Sequence, residues 1–204
     1  MEKNIKKIED MSLNAWPSHK MELYDGWILR FSYFYTHSTN SVEQFGSSTL
    51  PWREKVSYCE DVYKRLGSPA RWIGFVIFLR SNRLVIQISG ISSVSVTSMY
   101  RAIPKDTICA SVWRNGKIIA TGLGILDRDY IGIYAIHVKE NYRGQGFARQ
   151  ICTALLKEGV HQGAQNAYLQ VVQGNTPAKR LYASLGFTDF YTYWFRVQPQ
   201  GGTE

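Results

Sequence analysis

The residues from Tyr130 to Gly159 constrain the fold more than any other stretch of the chain. Ile131 to Val138 is an almost unbroken run of β-branched and aromatic residues, the composition of a strand buried on both faces. Arg143-Gly144-Gln145-Gly146 follows closely, and then Phe147, Ala148, Ile151, Cys152, Leu155, Leu156 and Val160 recur at the spacing of one helical face. A strand, a glycine turn and a helix in that order leave backbone N–H groups unpaired at the helix N-terminus, backed by the positive end of the helix dipole. The stretch predicts an anion cradle. Glycine at 144 and 146 lets a ligand approach the backbone with no Cβ in the way.

Spacing separates the phosphate loops this turn resembles. A dinucleotide fingerprint needs a third small residue where Arg149 stands, and an acidic residue about twenty positions on, where Gln170 and Val171 lie. A nucleotide P-loop needs Gly-Lys followed by Ser or Thr, which is absent. What remains is Arg-x-x-Gly-x-Ala, filled by Arg143, Gly146 and Ala148. Downstream, Ala167–Val172 alternates as a short strand, and Asn175-Thr176-Pro177 opens a helix, with Asn or Thr as cap and Pro in the first turn. That helix presents Ala178, Leu181, Tyr182 and Leu185 on one face and stops at Gly186, before Phe187.

These two motifs, in this order, resemble the two signatures of the GNAT superfamily of acetyl-coenzyme A-dependent N-acetyltransferases, over about residues 107–197. The order of elements predicts an α/β (α+β) fold. The resemblance narrows it to the acyl-CoA N-acyltransferase (GNAT) fold, a mixed, mostly antiparallel sheet flanked by helices and splayed between its fourth and fifth strands. It implies acetyl-CoA as acyl donor, with no metal, and direct attack by an amine in a ternary complex. The N–H groups of Gly144, Gln145, Gly146, Phe147 and Ala148 would take the pyrophosphate, supported by Arg143. Backbone groups of Ile136, His137 and Val138 would hold the pantetheine arm, Asn175 and Ala178 would contact the coenzyme, and Tyr182 would protonate the departing thiolate. From periodicity alone Tyr182 is equally a core residue of a helix face. Many members of the superfamily carry a Glu on the fourth strand, whereas Ile131–Ile136 has no carboxylate. His137, Tyr134, Glu140, His37 and Glu43 are alternatives acting through water, and none is singled out as the base.

Around this core the chain reads as an N-terminal region, 1–103, and a catalytic core, 104–204. Residues 1–15 suit a helix. Asp25-Gly26 turns the chain into a strand, Trp27–Tyr35, whose Trp27, Leu29, Phe31, Tyr33 and Tyr35 face the core; a polar loop covers Thr36–Thr49. Pro51–Leu66 reads as an amphipathic helix with Trp52, Val56, Cys59, Val62, Tyr63 and Leu66 inward. Asp25-Gly26-Trp27-Ile28-Leu29-Arg30, Tyr35 and Asn40-Ser41-Val42 weakly resemble the front lobe of bacterial two-lobed GNAT proteins. Arg71–Leu79 and Arg83–Ser89 are strand candidates; no helix is evident between Gly90 and Pro104, so either the N-terminal region supplies the missing layers or the core is abbreviated. Thr107–Trp113 and Lys117–Leu126 make a hairpin about Asn115-Gly116, the pair favoured in type I′ turns. Phe187–Val197 supplies the last strand or strand pair, and Gln198–Glu204 a frayed tail.

The net charge of +8 fits a polyanionic small ligand, a nucleic acid or ordinary solubility. Lysines and arginines are scattered and no nucleic-acid module is present, so nucleic acid is not the expected partner. No apolar run is long enough to span a membrane and the charged N-terminus does not read as a signal peptide, so a cytoplasmic protein is expected. Cys59, Cys109 and Cys152 lie far apart on apolar positions and read as buried thiols. The expected partner is a small-molecule amine or a protein amino group, and a homodimer is left open. Two other readings stand: a module that binds acetyl-CoA without turnover, and a basic interaction protein.

Overall fold

The computed structural model describes residues 2–32, 39–74 and 100–197. Tyr33, Tyr35, His37, the strand candidate 83–89 and the tail 198–204 lie outside them. The chain divides into two compact units, one made of Met1–Ala15 with Ile103–Phe190, the other of Trp16–Ala102 with Tyr191–Glu204.

The first unit contains helix α1 (Glu2–Ala15) and a four-stranded sheet ordered β5-β6-β7-β8. Its strands are β5 (Thr107–Arg114), β6 (Lys117–Asp127), β7 (Tyr130–Val138) and β8 (Asn166–Leu169). The β5–β6 hairpin turns at Asn115 and Gly116, both with positive φ (48° and 69°), the geometry of a type I′ turn. β6 pairs antiparallel with β7, and β7 parallel with β8. Parallel strands need a crossover, which α3 (Phe147–His161) provides. Ile131 and Ile133 point into the core with Ile151, Cys152 and Leu155 of α3, and Gly159 is buried where a Cβ would lie 2.8 Å from Ile131 Cδ1. Val160, expected on the inward face, is 68 % exposed, because Gly159 makes the close approach instead.

Side chains alternate across β7, so Tyr130, Gly132 and Tyr134 face away from α3. Helix α1 covers that face. Lys7 reaches Asp129 at 2.5 Å and stands 4.5 Å above the Tyr130 ring, Asn14 donates to Asp127 at 2.8 Å, and Met11 and Ala15 are fully buried. The N-terminal end of the chain thus supplies a layer of this unit. α4 (Thr176–Ala183) follows β8; Leu181, Tyr182, Leu185 and Phe187 pack against the core on the α3 side.

The second unit is a five-stranded sheet ordered β1-β2-β3-β4-β9 with α2 (Trp52–Arg65); its strands are β1 (Lys20–Tyr24), β2 (Trp27–Phe31), β3 (Val42–Gln44), β4 (Arg71–Gly74) and β9 (Trp194–Val197). Leu29 and Val42 meet Cys59, Val62 and Tyr63 in its core. β3 interrupts the expected polar loop, with Thr39, Asn40 and Ser41 buried beside it; the Asn40 carboxamide accepts from the Ser32 N–H at 2.6 Å, so these polar residues have partners inside. Trp52 and Leu66 are exposed, whereas Lys55 is buried. The Lys55 ammonium donates to the Asp25 carbonyl at 2.5 Å, pairs with its carboxylate at 3.4 Å and lies 4.2 Å over the Trp27 ring. The expected last strand is confined to Trp194–Val197 and pairs with β4, so the chain builds two mixed sheets where one was expected. Cys109 is exposed on the outer face of β5, the end strand of the first unit's sheet among the described residues; Cys59 and Cys152 are buried.

Candidate functional site

The cradle follows β7 through a single 3₁₀ turn, Glu140–Tyr142. Gly144 (φ 74°) and Gly146 (φ 82°) are both left-handed and flank Gln145, a backbone pattern whose successive N–H groups form a concave anion nest. Gly146 is the N-cap of α3, no side chain caps that terminus, and the first turn holds no acidic residue. A Cβ built on Gly144 or Gly146 meets nothing within 4 Å, so the space above the nest is open. Phe147 is buried and anchors the helix start, with the Arg114 guanidinium 5.4 Å over its ring. Ala148 is half-buried. Gln145 donates to the Asn141 carbonyl at 3.3 Å. Arg143 donates to the Val138 carbonyl at 3.3 Å, and its mostly exposed guanidinium is 4.0 Å from Glu140. A polyphosphate fits this cradle: no side chain caps its donors, a Cβ at either glycine meets open space, and the mostly exposed Arg143 guanidinium stands beside it.

The second part of the site is a strand that outruns its neighbour. The β7–β8 ladder ends at Ile133↔Leu169, while β7 continues to Val138. Among the described residues, no strand pairs with Tyr134–Val138 on that side. In the same segment Ala135 takes φ +50°, and the register with β6 jumps from Leu123↔Tyr134 to Thr121↔His137. Gly122 therefore faces both Ala135 and Ile136, which is a β-bulge. A Cβ on Gly122 would overlap Ile151 and stand 2.7 Å from Ile136 Cδ1, so glycine is what lets the bulge seat on α3. The strand expected to be buried on both faces is buried only to Tyr134; Ala135 and His137 are exposed and Ile136 and Val138 half-buried.

α4 presents the remaining residues. Asn175 caps it, its side-chain oxygen accepting from the Ala178 N–H at 3.2 Å. Tyr182 is half-buried, edge-on to Phe187 at 6.1 Å, and among the described residues its hydroxyl has no hydrogen-bond partner. Burial pushes its phenol up to about 12, the neighbouring Cys152 thiol adding to the rise. Of the other residues considered as base, Glu140 is a solvated surface carboxylate, Glu43 belongs to the second unit and is buried, and His137 is exposed.

One cluster has no counterpart in the sequence reading. On the α1 side of β7 the Tyr134 hydroxyl donates to the Tyr168 hydroxyl at 2.6 Å, Gln170 donates to the Ser12 hydroxyl at 2.8 Å, and Ser12 also hydrogen-bonds Tyr134. Gly132 makes room for it, since a Cβ there would lie 2.6 Å from Tyr134 and 2.8 Å from Tyr168. No local pattern marks a set drawn from α1, β7 and the end of β8.

An uncapped anion nest thus opens the crossover helix beside a bulged strand whose edge, among the described residues, is unpaired beyond Ile133. Residues 90–187 match the Acetyltransferase (GNAT) family, which makes that stretch a GNAT acetyltransferase domain. Over 96 % of its length the chain is 22 % identical to the uncharacterized N-acetyltransferase YobR of Bacillus subtilis (strain 168), covering 99 % of that protein. Over 29 % of its length it is 34 % identical to the [ribosomal protein bS18]-alanine N-acetyltransferase of Haemophilus ducreyi, covering 41 % of that enzyme. Among solved structures, the ribosomal-protein-S18-alanine N-acetyltransferase of Escherichia coli is similar with a TM-score of 0.40 and 28 % identity, over 42 % of this chain and 55 % of that one. The chain thus spans nearly all of the first relative and about half or less of the other two.

Proposed function

We propose that this protein is an acetyl-CoA-dependent N-acetyltransferase whose acceptor is a primary amine of a small molecule or of a protein, and that residues 104–204 hold its catalytic core. The observation that carries the reading is the conjunction of an open, uncapped cradle at Gly144–Ala148 with a bulged edge at Tyr134–Val138 that no strand among the described residues pairs beside β8. Either feature alone occurs in many proteins; together they give one extended ligand a place for its anionic end and a strand for its amide-bearing arm. When bound, acetyl-CoA supplies an activated thioester. The N–H groups of Gly144, Gln145, Gly146, Phe147 and Ala148 bind its pyrophosphate with Arg143 in support, Ile136, His137 and Val138 offer backbone groups to its arm, and Asn175 and Ala178 line its other side.

Within this frame the bulge has a chemical use. Ala135 turns backbone out of the β6 ladder, which frees an N–H to stabilise the charge that develops on the thioester oxygen. Tyr182 acts as proton donor to the departing thiolate, and its raised pKa keeps it a neutral acid across the working range. Amine and thioester held side by side react without a covalent enzyme intermediate. The reaction belongs to the cytoplasm on this reading, in keeping with three unpaired thiols.

Calorimetry with acetyl-CoA and a thiol-release assay over a panel of amines test the proposal. Saturable binding that weakens sharply in Gly146→Trp, together with amine-dependent release, is the expected result. No binding overturns the reading; tight binding with no release on any amine replaces it with a non-catalytic acetyl-CoA module.

A further inference from the structure

Many basic side chains of the first unit have an acidic partner: Lys7 pairs with Asp129, Lys105 with Asp127, Arg128 with Asp10 and Lys179 with Asp189. Lys117, Lys139 and His137 differ, for among the described residues their side chains have no ion pair or hydrogen-bond partner. The sheet brings them to one place. Trp113 of β5 lies opposite Ile118 of β6, and the Lys139 N–H donates to the Ile119 carbonyl at 2.9 Å, which carries the β6–β7 ladder one step past Val138. Trp113, Lys117, Ile118, His137 and Lys139 thereby line a cavity of about 420 Å³, all of it within the first unit. That volume falls in the range of small-molecule sites.

The cavity opens on the side of the sheet away from α3. Ile136 and Val138 pack toward the α3 core, so His137 between them points the other way; Val112 packs toward it as well, whereas Trp113 is 59 % exposed. The Trp113 indole N–H donates to the Ser111 hydroxyl at 2.9 Å. That bond uses the ring's one donor, so what Trp113 offers a ligand is apolar surface. Exposed Ile118 extends that surface. Among the described residues no acid lines the cavity; Glu140, next in sequence to Lys139, is solvated and stands 4.0 Å from the Arg143 guanidinium. A matching ligand has a flat apolar body for Trp113 and Ile118 and an anionic group that accepts from two ammoniums. A cation is repelled here, and a neutral hydrocarbon leaves both lysines unused.

We propose that the cavity between the β5–β6 hairpin and the end of β7 is a second ligand site, which takes a small aromatic carboxylate: the ring lies against Trp113 and Ile118, and the carboxylate accepts from Lys117 and Lys139. The site is distinct from the cradle at Gly144–Ala148, which opens at the N-terminus of α3, and its existence does not depend on the acetyltransferase reading. His137 alone belongs to both regions, its backbone on the free edge of β7 and its side chain in the cavity.

The test uses the full chain with 2-naphthoate as probe, 2-naphthalenemethanol as its uncharged counterpart, and two variants, Trp113→Ala and the double change Lys117→Ala with Lys139→Ala. Calorimetry on the wild type should give saturable binding of one 2-naphthoate per chain, weakening as salt is added, with the uncharged alcohol bound about ten-fold more weakly or worse. Trp113→Ala should lower the 2-naphthoate affinity by about ten-fold, and the double lysine variant should bind acid and alcohol alike. A cooperative thermal transition shows that each variant is folded, and the comparison of acid with alcohol in the wild type tests the site without any variant. Saturating acetyl-CoA should leave 2-naphthoate binding in place. No saturable heat in the wild type, equal affinity for acid and alcohol, or an affinity unaltered in both variants overturns the site. Displacement of 2-naphthoate by acetyl-CoA overturns its separateness from the cradle. Failure of acetyl-CoA to bind while 2-naphthoate does would overturn the acetyltransferase reading and leave this site standing.

Discussion

Burial raises the Tyr182 phenol to about 12, and for a proton donor the sign of that shift is favourable. The donor is the neutral form, present below the pKa, so raising the pKa extends its range upward. The expected profile shows no alkaline loss of kcat up to about pH 10, where an unperturbed tyrosine would be half ionised. Tyr182→Phe should lower kcat by about 10²-fold across that range with acetyl-CoA affinity unchanged, as read by steady-state kinetics and calorimetry. Asp25 is the contrasting case in the second unit. The Leu50 and Thr49 N–H groups donate to its carboxylate at 2.9 Å, the Thr49 hydroxyl at 2.7 Å, and Lys55 stands beside it. The Leu50 bond leads in holding its pKa far below the usual carboxylate range. A depressed pKa contributes stability that is complete above the unfolded value, about 3.9, and is lost as the pH falls toward the folded value. The melting-temperature gap between wild type and Asp25→Asn should therefore be constant near neutrality and close below about pH 4.

Among the elements, α3 shows what sequence periodicity carries and what it misses. Its start, its glycine turn and its inward Ile151, Cys152 and Leu155 were legible because a helix repeats the same side-chain geometry every turn. The bulge was not legible. Ala135 and Ile136 continue a strand-like pattern, and the left-handed φ of Ala135 arises from seating against Gly122 and α3, which no local signal encodes. Gly122→Val should cost about 1–3 kcal/mol in chemical denaturation, the usual range for overfilling a packed core. It should also weaken acetyl-CoA binding if the proposed site is right, since Ile136 must move and its segment is the one proposed to hold the pantetheine arm. A variant as stable as wild type with unaltered affinity would show that the bulge seats elsewhere. The burial of Lys55 and the strand Val42–Gln44 were missed for a related reason: their partners, Asp25 and Trp27 for the lysine and β2 and β4 for the strand, lie far from them in sequence.

At the scale of the molecule, the order of elements from Thr107 to Ala183 could be read from sequence because each borders the next. The closing layer could not. α1 reaches the first unit from the other end of the chain: Lys7 and Asp129 are 122 positions apart, Asn14 and Asp127 113, and Ser12 and Gln170 158. Met11 is fully buried in that contact, and Met11→Ala should cost about 2–5 kcal/mol in urea denaturation while an exposed change such as Val160→Thr costs little. Contacts of such span are also slow to form, because the chain entropy they remove is lost before the contact is gained.

The docking of α1 sets a timetable for synthesis. A ribosome delivers this helix well before its partner Gln170, 158 positions after Ser12. At about 5–20 residues per second the nascent helix spends roughly ten to thirty seconds with Met11 and Ala15 facing water. That interval is when a holdase would find the protein.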